Sequence, residues 1–140
     1  YETYKEYQDT KVTLIRQCYE DTQIDGGFDF ALTSPPYFDV EQYAGEEQAH
    51  VKYNNYERWR ECFYRPLIQL TMERLKDDCY FALQVGSQSY PLRSDAIAIA
   101  TELGYETSVY KEKCLSDNGK LHNTKTENAE CVLLIKKTKK

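Results

Sequence analysis

The feature that most constrains this chain is a strand that ends in two consecutive prolines. Phe28-Asp29-Phe30-Ala31-Leu32-Thr33 is rich in β-formers and is followed at once by Ser34-Pro35-Pro36-Tyr37-Phe38. Neither proline can donate to a ladder, so the backbone must leave the sheet at Ser34. The carboxyl ends of strands are where open α/β sheets gather their ligands. In an open α/β sheet, Ser34 to Phe38 falls at such an end.

The flanking sequence alternates strand and helix signals. Tyr1 to Gln8 reads as a short helix, Val12 to Gln17 as a β-branched, apolar strand, and Asp25-Gly26-Gly27 as a turn. Asp39 to Asn54 lacks any packing period and carries Asp39, Glu41, Glu46 and Glu47. It is predicted to be a long loop of the kind that serves as a lid or binding segment, or else is disordered. Asn54 or Asn55 can cap a helix to about Lys76, whose stripe is Trp59, Phe63, Leu67 and Leu70, widened by Ile68, Met72 and Leu75. Pro66 inside that pattern predicts a kink or a division. Asp77-Asp78 turns into Cys79 to Val85, a continuous apolar run suited to a buried parallel strand. After a loop from Gly86 to Pro91, Ser94 is predicted to cap a helix that stops at Gly104. Tyr105 to Lys113 and Ala129 to Lys136 then form an antiparallel pair around a polar loop, Cys114 to Asn128. The basic tail from Lys136 to Lys140 is predicted to be solvated. The sum is an α/β class chain, residues 1–140 forming a single domain, with a mostly parallel sheet and an antiparallel closing hairpin.

Composition narrows the partners. Eighteen basic against twenty-three acidic side chains give a net charge of −5, the wrong sign for wrapping nucleic acid by bulk charge, so any such contact must be local. No apolar run approaches the roughly 20 residues of a membrane span, and Tyr1 to Lys11 is no secretory signal. The expectation is a cytoplasmic chain with no membrane partner. Five cysteines without a C-x-x-C pair, and only two histidines, argue against a metal centre or a disulfide framework. The cysteines are read as mostly buried thiols.

The run Phe28 to Phe38, FDFALTSPPYF, resembles the S-adenosylmethionine-dependent DNA amino-methyltransferases, with Ser34-Pro35-Pro36-Tyr37 in the place of their [DNS]-P-P-[YFW] signature. The serine version, within T-S-P-P-Y, is similar to the subset that methylates N4 of cytosine rather than N6 of adenine. The resemblance implies a Rossmann-like methyltransferase fold, S-adenosylmethionine as cofactor, and DNA as the first-choice substrate. It also implies roles. An exocyclic amine is a poor nucleophile because its lone pair is delocalised into the ring. The Ser34 hydroxyl and the Pro35 carbonyl, accepting its two hydrogens, would favour a pyramidal nitrogen facing the methyl sulfonium. Pro36 makes that carbonyl rigid, the Tyr37 ring would stack on an extruded base, and Phe38 would wall the pocket. No metal or covalent nucleophile is required. Cofactor contacts are implied for Cys18, Tyr19 and Ser34. In the bland alternative Ser34-Pro35-Pro36 merely ends a strand while Tyr37 and Phe38 pack in the core; the organised flanks weigh against it.

Departures from the family pattern matter as well. Gln17-Cys18-Tyr19 stands where many members carry Gly-Asp-Ala, and Glu20 or Asp21 could substitute for the acid or simply lie in a solvated turn. None of the six glycines forms a G-x-G, so the family's Gly-rich cofactor loop is not in this chain. Two family strands between Val12–Gln17 and Phe28–Thr33 also lack a counterpart. The chain is therefore read as an incomplete, catalytic part of a methyltransferase domain, completed by a missing half or a partner subunit, in the cytoplasm or on the nucleoid. Restriction-modification is among the roles the resemblance implies. The alternatives are a non-catalytic or degenerate subunit beside an active partner, and methylation of RNA or of a protein glutamine.

Overall fold

A computed structural model describes residues 12–36, 38, 52–86, 89–111 and 130–139. In chain order, a 3-10 turn (Tyr19–Asp21) precedes β1 (Phe28–Thr33). Then come α1 (Tyr56–Trp59), a π-helical turn (Arg60–Tyr64), α2 (Arg65–Arg74), β2 (Leu75–Val85), α3 (Leu92–Glu102), β3 (Glu106–Lys111) and β4 (Cys131–Lys136). Four strands form one mixed sheet in the order β1-β2-β4-β3. β1 is parallel to β2, whereas β4 is antiparallel to both β2 and β3. The chain is α/β, and β1–helix–β2 is a parallel crossover unit. The expected closing pair is present, but its antiparallel member, β4, lies inside the sheet and β3 forms the edge.

Register decides which residues make the core. Ala31, Phe81 and Ile135 form one cross-strand row and Thr33, Leu83 and Leu133 the next. Phe81, Leu83, Leu133 and Ile135 of these rows are buried, against Ile68, Met72, Ile99 and Ala100 of α2 and α3. The other face carries Phe30, Tyr80 and Lys136 in one row and Leu32, Ala82 and Leu134 in the next. There Phe30 is 56% and Leu32 68% exposed. Among the described residues β1 pairs on one side only, which leaves that edge of the sheet open, and its Phe30 and Leu32 are exposed although Ala82 in the Leu32 row is buried.

Local chemistry explains the helices. Asn54 takes a left-handed conformation (φ 65°), which asparagine tolerates, and Asn55 Oδ1 accepts from the Arg58 N–H at 2.8 Å as the expected N-cap. Pro66 would drive its ring into the Cys62 carbonyl of an ordinary helix. The chain meets this by widening: Arg65 N–H bonds to the Arg60 carbonyl, five residues back, before α2 resumes. α3 ends as predicted. Gly104 (φ 87°) donates to Thr101 and Tyr105 to Ala100, both paired to the last turn across a left-handed residue.

Several expectations are corrected. Val12 to Gln17 is exposed and forms no strand, because a strand requires a neighbouring ladder and none lies beside it among the described residues. α3 starts at Leu92 with Pro91, not Ser94, as its N-cap: the Pro91 carbonyl accepts the first helical bond, from the Asp95 N–H at 2.9 Å. The Asp77-Asp78 turn lies inside β2, as an irregularity at Asp78 (φ 63°) where the β1 register shifts. Of the described cysteines, Cys131 is buried and Cys79 half-buried, but Cys18 and Cys62 are exposed. The tail is not simply solvated either: Lys136 belongs to β4, and Lys137 reaches the end of α2. The Tyr1–Gln8 helix and the Cys114–Asn128 loop lie outside the described residues, as does the Asp39–Asn54 loop up to Val51.

Candidate functional site

β1 delivers Ser34, Pro35 and Pro36 to the carboxyl end of the parallel β1–β2 pair, where Thr33 is registered with Leu83. Ser34 is exposed, Pro35 buried and Pro36 exposed. The loop thus presents a hydroxyl from a backbone pinned by one buried ring. Phe38 returns to the core at 8% exposure. Tyr37 lies outside the described residues.

Phe38 enters an aromatic cluster built from three elements. Its ring meets Tyr90 edge-on at 5.5 Å and Tyr56 edge-on at 6.1 Å, and it tilts against Trp59 at 6.2 Å. Tyr56 and Tyr90 stack at 4.3 Å and 12°, while Trp59 stacks on Tyr56 and Tyr64. Tyr90 belongs to the loop that follows β2, so the loops leaving the two adjacent parallel strands are held by one packed set of rings. Offset and edge-on contacts of this kind add about 0.5–1.5 kcal/mol each beyond area burial.

Below the rings sits a polar clasp. Tyr56 Oη donates to Asp95 Oδ2 at 2.5 Å, and Arg60 Nε pairs with Asp95 Oδ1 at 3.2 Å. Tyr64 Oη donates to the Leu92 carbonyl at 3.0 Å. Asp95 lies in the first turn of α3, where its charge also complements the helix dipole. Burial, then the bond to Asp95, pushes the Tyr56 phenol well above its ordinary range, so it remains a donor. Sequence reasoning missed Tyr56, Tyr90 and Asp95. The available signal was Tyr56 standing three residues before Trp59, on one helical face.

The second predicted group is placed elsewhere. Cys18 is exposed at the start of the 3-10 turn. Tyr19 faces α2: its hydroxyl bonds with Thr71 Oγ1 at 2.9 Å and its ring lies under the Arg74 guanidinium at 4.8 Å. Glu20, one of the two candidate substitutes for the family acid, is taken up by Lys52 Nζ and Tyr53 Oη, both at 3.2 Å; Asp21 is exposed. The Ser34 loop therefore has its partners in α1 and beside Tyr90, whereas Tyr19 has its own in α2. Among the described residues no three His, Cys, Asp or Glu side chains converge as a metal site would require, and no helix is long and apolar enough to cross a membrane.

No family model matches the chain, and no curated protein matches it. What the site offers is hydrogen-bond acceptors on a rigid loop at a strand end, backed by aromatic rings. That equipment can orient a neutral, flat, hydrogen-bonding group. Among the described residues, the Asp95 carboxylate beside the rings is already engaged by Tyr56 and Arg60.

Proposed function

We propose that this chain is the catalytic part of an S-adenosylmethionine-dependent amino-methyltransferase acting on a nucleic-acid base, with N4 of cytosine in DNA as the preferred target. The observation that carries the reading is the exit of Ser34-Pro35-Pro36 from the carboxyl end of β1, with Ser34 exposed and Pro35 buried. In this scheme Ser34 and the Pro35 carbonyl accept from the target amine, Pro36 stiffens the loop, Tyr37 stacks on the base and Phe38 backs it. Cys18 lies on the cofactor side, with Tyr19 holding its turn to α2. A methyltransferase-type Rossmann sheet accounts for the parallel β1–β2 pair and the antiparallel closing pair. The open edge of β1 and the exposed Phe30 and Leu32 support completion of that sheet by further strands, from the rest of the domain or from a partner subunit.

The test is methyl transfer from radiolabelled S-adenosylmethionine to cytosine-containing duplexes by the complete enzyme. Ser34→Ala is expected to reduce the transfer rate on the order of 10²-fold, as loss of one preorganised hydrogen-bonding group does, with cofactor affinity little changed. Full activity in that variant removes Ser34 from the mechanism. Label appearing in RNA or in protein glutamine, rather than in DNA, redirects the substrate assignment.

A further inference from the structure

We propose that Tyr56 is a positioning residue that sets the Ser34 loop and the loop after β2 in one fixed relation. The catalytic part of this inference rests on the methyl-transfer reading; the structural part stands without it. Like Phe38, Tyr56 touches three rings of the cluster: it stacks on Tyr90, meets Phe38 edge-on and stacks on Trp59. Its hydroxyl is held by Asp95, which Arg60 holds in turn. Both Asp95 oxygens are thus engaged, and the phenol cannot rotate away without leaving an acceptor unpaired in a half-buried site.

The consequence is directional. Ser34 lies four residues before Phe38, with two prolines between them, so the segment has few soft dihedrals. Fixing Phe38 against Tyr56 therefore limits where the Ser34 hydroxyl can go. Tyr90 is fixed by the same ring, which couples the ends of two neighbouring parallel strands. Positioning at this level is worth large factors in rate, since small displacements of an acceptor spoil a near-attack geometry.

The test uses Tyr56→Phe, Asp95→Asn and Asp95→Ala, read by hydrogen exchange on peptides that carry Ser34 with Phe38 and Tyr90 with Leu92. Tyr56→Phe keeps the ring and removes the clasp. Exchange is expected to rise about tenfold in both loops together while β2 and β4 stay protected. Asp95→Asn, which keeps an acceptor for Tyr56, should fall between wild type and Asp95→Ala. Circular dichroism of the secondary structure confirms an intact fold in each variant, since Trp59 itself touches Tyr56. In the complete enzyme Tyr56→Phe should lower kcat and leave KM for the cofactor unchanged. Exchange that rises in neither loop, or only in step with global unfolding, overturns the proposal. Should the wild-type enzyme transfer no methyl group, the proposed function falls and exchange alone decides the positioning role.

Discussion

Lys137 Nζ donates to the Leu75 carbonyl at 2.5 Å and to the Glu73 carbonyl at 3.0 Å, across more than sixty residues of sequence. α2 ends at Arg74 without a glycine, and passes straight into β2, so its last carbonyls lack intrahelical partners. Lys137 supplies the Glu73 carbonyl, with the favourable sign for a helix C-terminus, while the Gly27 N–H takes that of Arg74. Lys137→Ala is expected to cost about 1–2 kcal/mol, the value of a charge-assisted bond at a half-buried site, and to lower Tm. Chemical denaturation of the two proteins under identical salt checks it. An unchanged midpoint would show that water caps the helix equally well.

Leu32 and Leu83 are one row apart in the β1–β2 ladder and differ in what a truncation should do. Leu83 is fully buried beneath α2 and α3, so Leu83→Ala should cost about 2–5 kcal/mol. Leu32→Ala should cost within about 0.5 kcal/mol, because its side chain is exposed. Leu32→Lys should also reduce self-association of the chain, by breaking an exposed apolar row beside an open strand edge. Sedimentation at several concentrations, alongside denaturation, separates the two effects. A large stability loss at Leu32 would mean that its side chain is covered.

The chain by itself is expected to bind S-adenosylmethionine too weakly for calorimetric detection at micromolar protein. The sequence has no G-x-G turn to bring backbone N–H groups to the cofactor's carboxylate, and Glu20 is already paired with Lys52 and Tyr53. On the proposed methyltransferase reading, adding the remaining part of that domain should restore binding. Micromolar affinity without it would overturn the view that the cofactor cleft is shared.

Where residue and consequence are local, the sequence was readable. Asn55 caps, Pro66 divides its helix and Gly104 stops α3, because each acts on its own backbone within one turn. Of the stripe read from its helical period, Trp59, Leu67, Ile68 and Met72 are buried, Phe63 and Leu70 are partly buried, and Leu75 is buried as the first residue of β2. What stayed hidden depends on distant partners. Val12 to Gln17 has strand composition but no ladder to join among the described residues, and Lys137 looks like tail until the end of α2 lies beside it. Ser34 to Phe38 could be placed at a strand end from the prolines alone. That Phe38 would meet Tyr90, fifty-two residues away, follows only from the parallel crossover that sets β1 beside β2.

The last expectation concerns acid. Burial pushes the Glu20 carboxyl up, but its own backbone N–H, then Lys52 and Tyr53, outweigh that and hold it below the ordinary carboxylate range. A carboxylate whose pKa is lower in the folded than in the unfolded state binds its proton less readily when folded. It therefore contributes stability fully above its unfolded pKa and loses that contribution as pH falls through the folded one. The Glu20 contribution should be complete above about pH 5 and fade below the ordinary carboxylate pKa near 4.5. Glu20→Gln should then narrow its stability gap from wild type as pH drops from 6 toward 3. The narrowing should be modest, because Lys52 is an exposed partner and solvent screens the pair. Denaturation midpoints at half-unit steps, in low and high salt, measure it. A gap that stays constant across this range would show that Glu20 holds the 3-10 turn by hydrogen bonding alone, with no contribution from its charge.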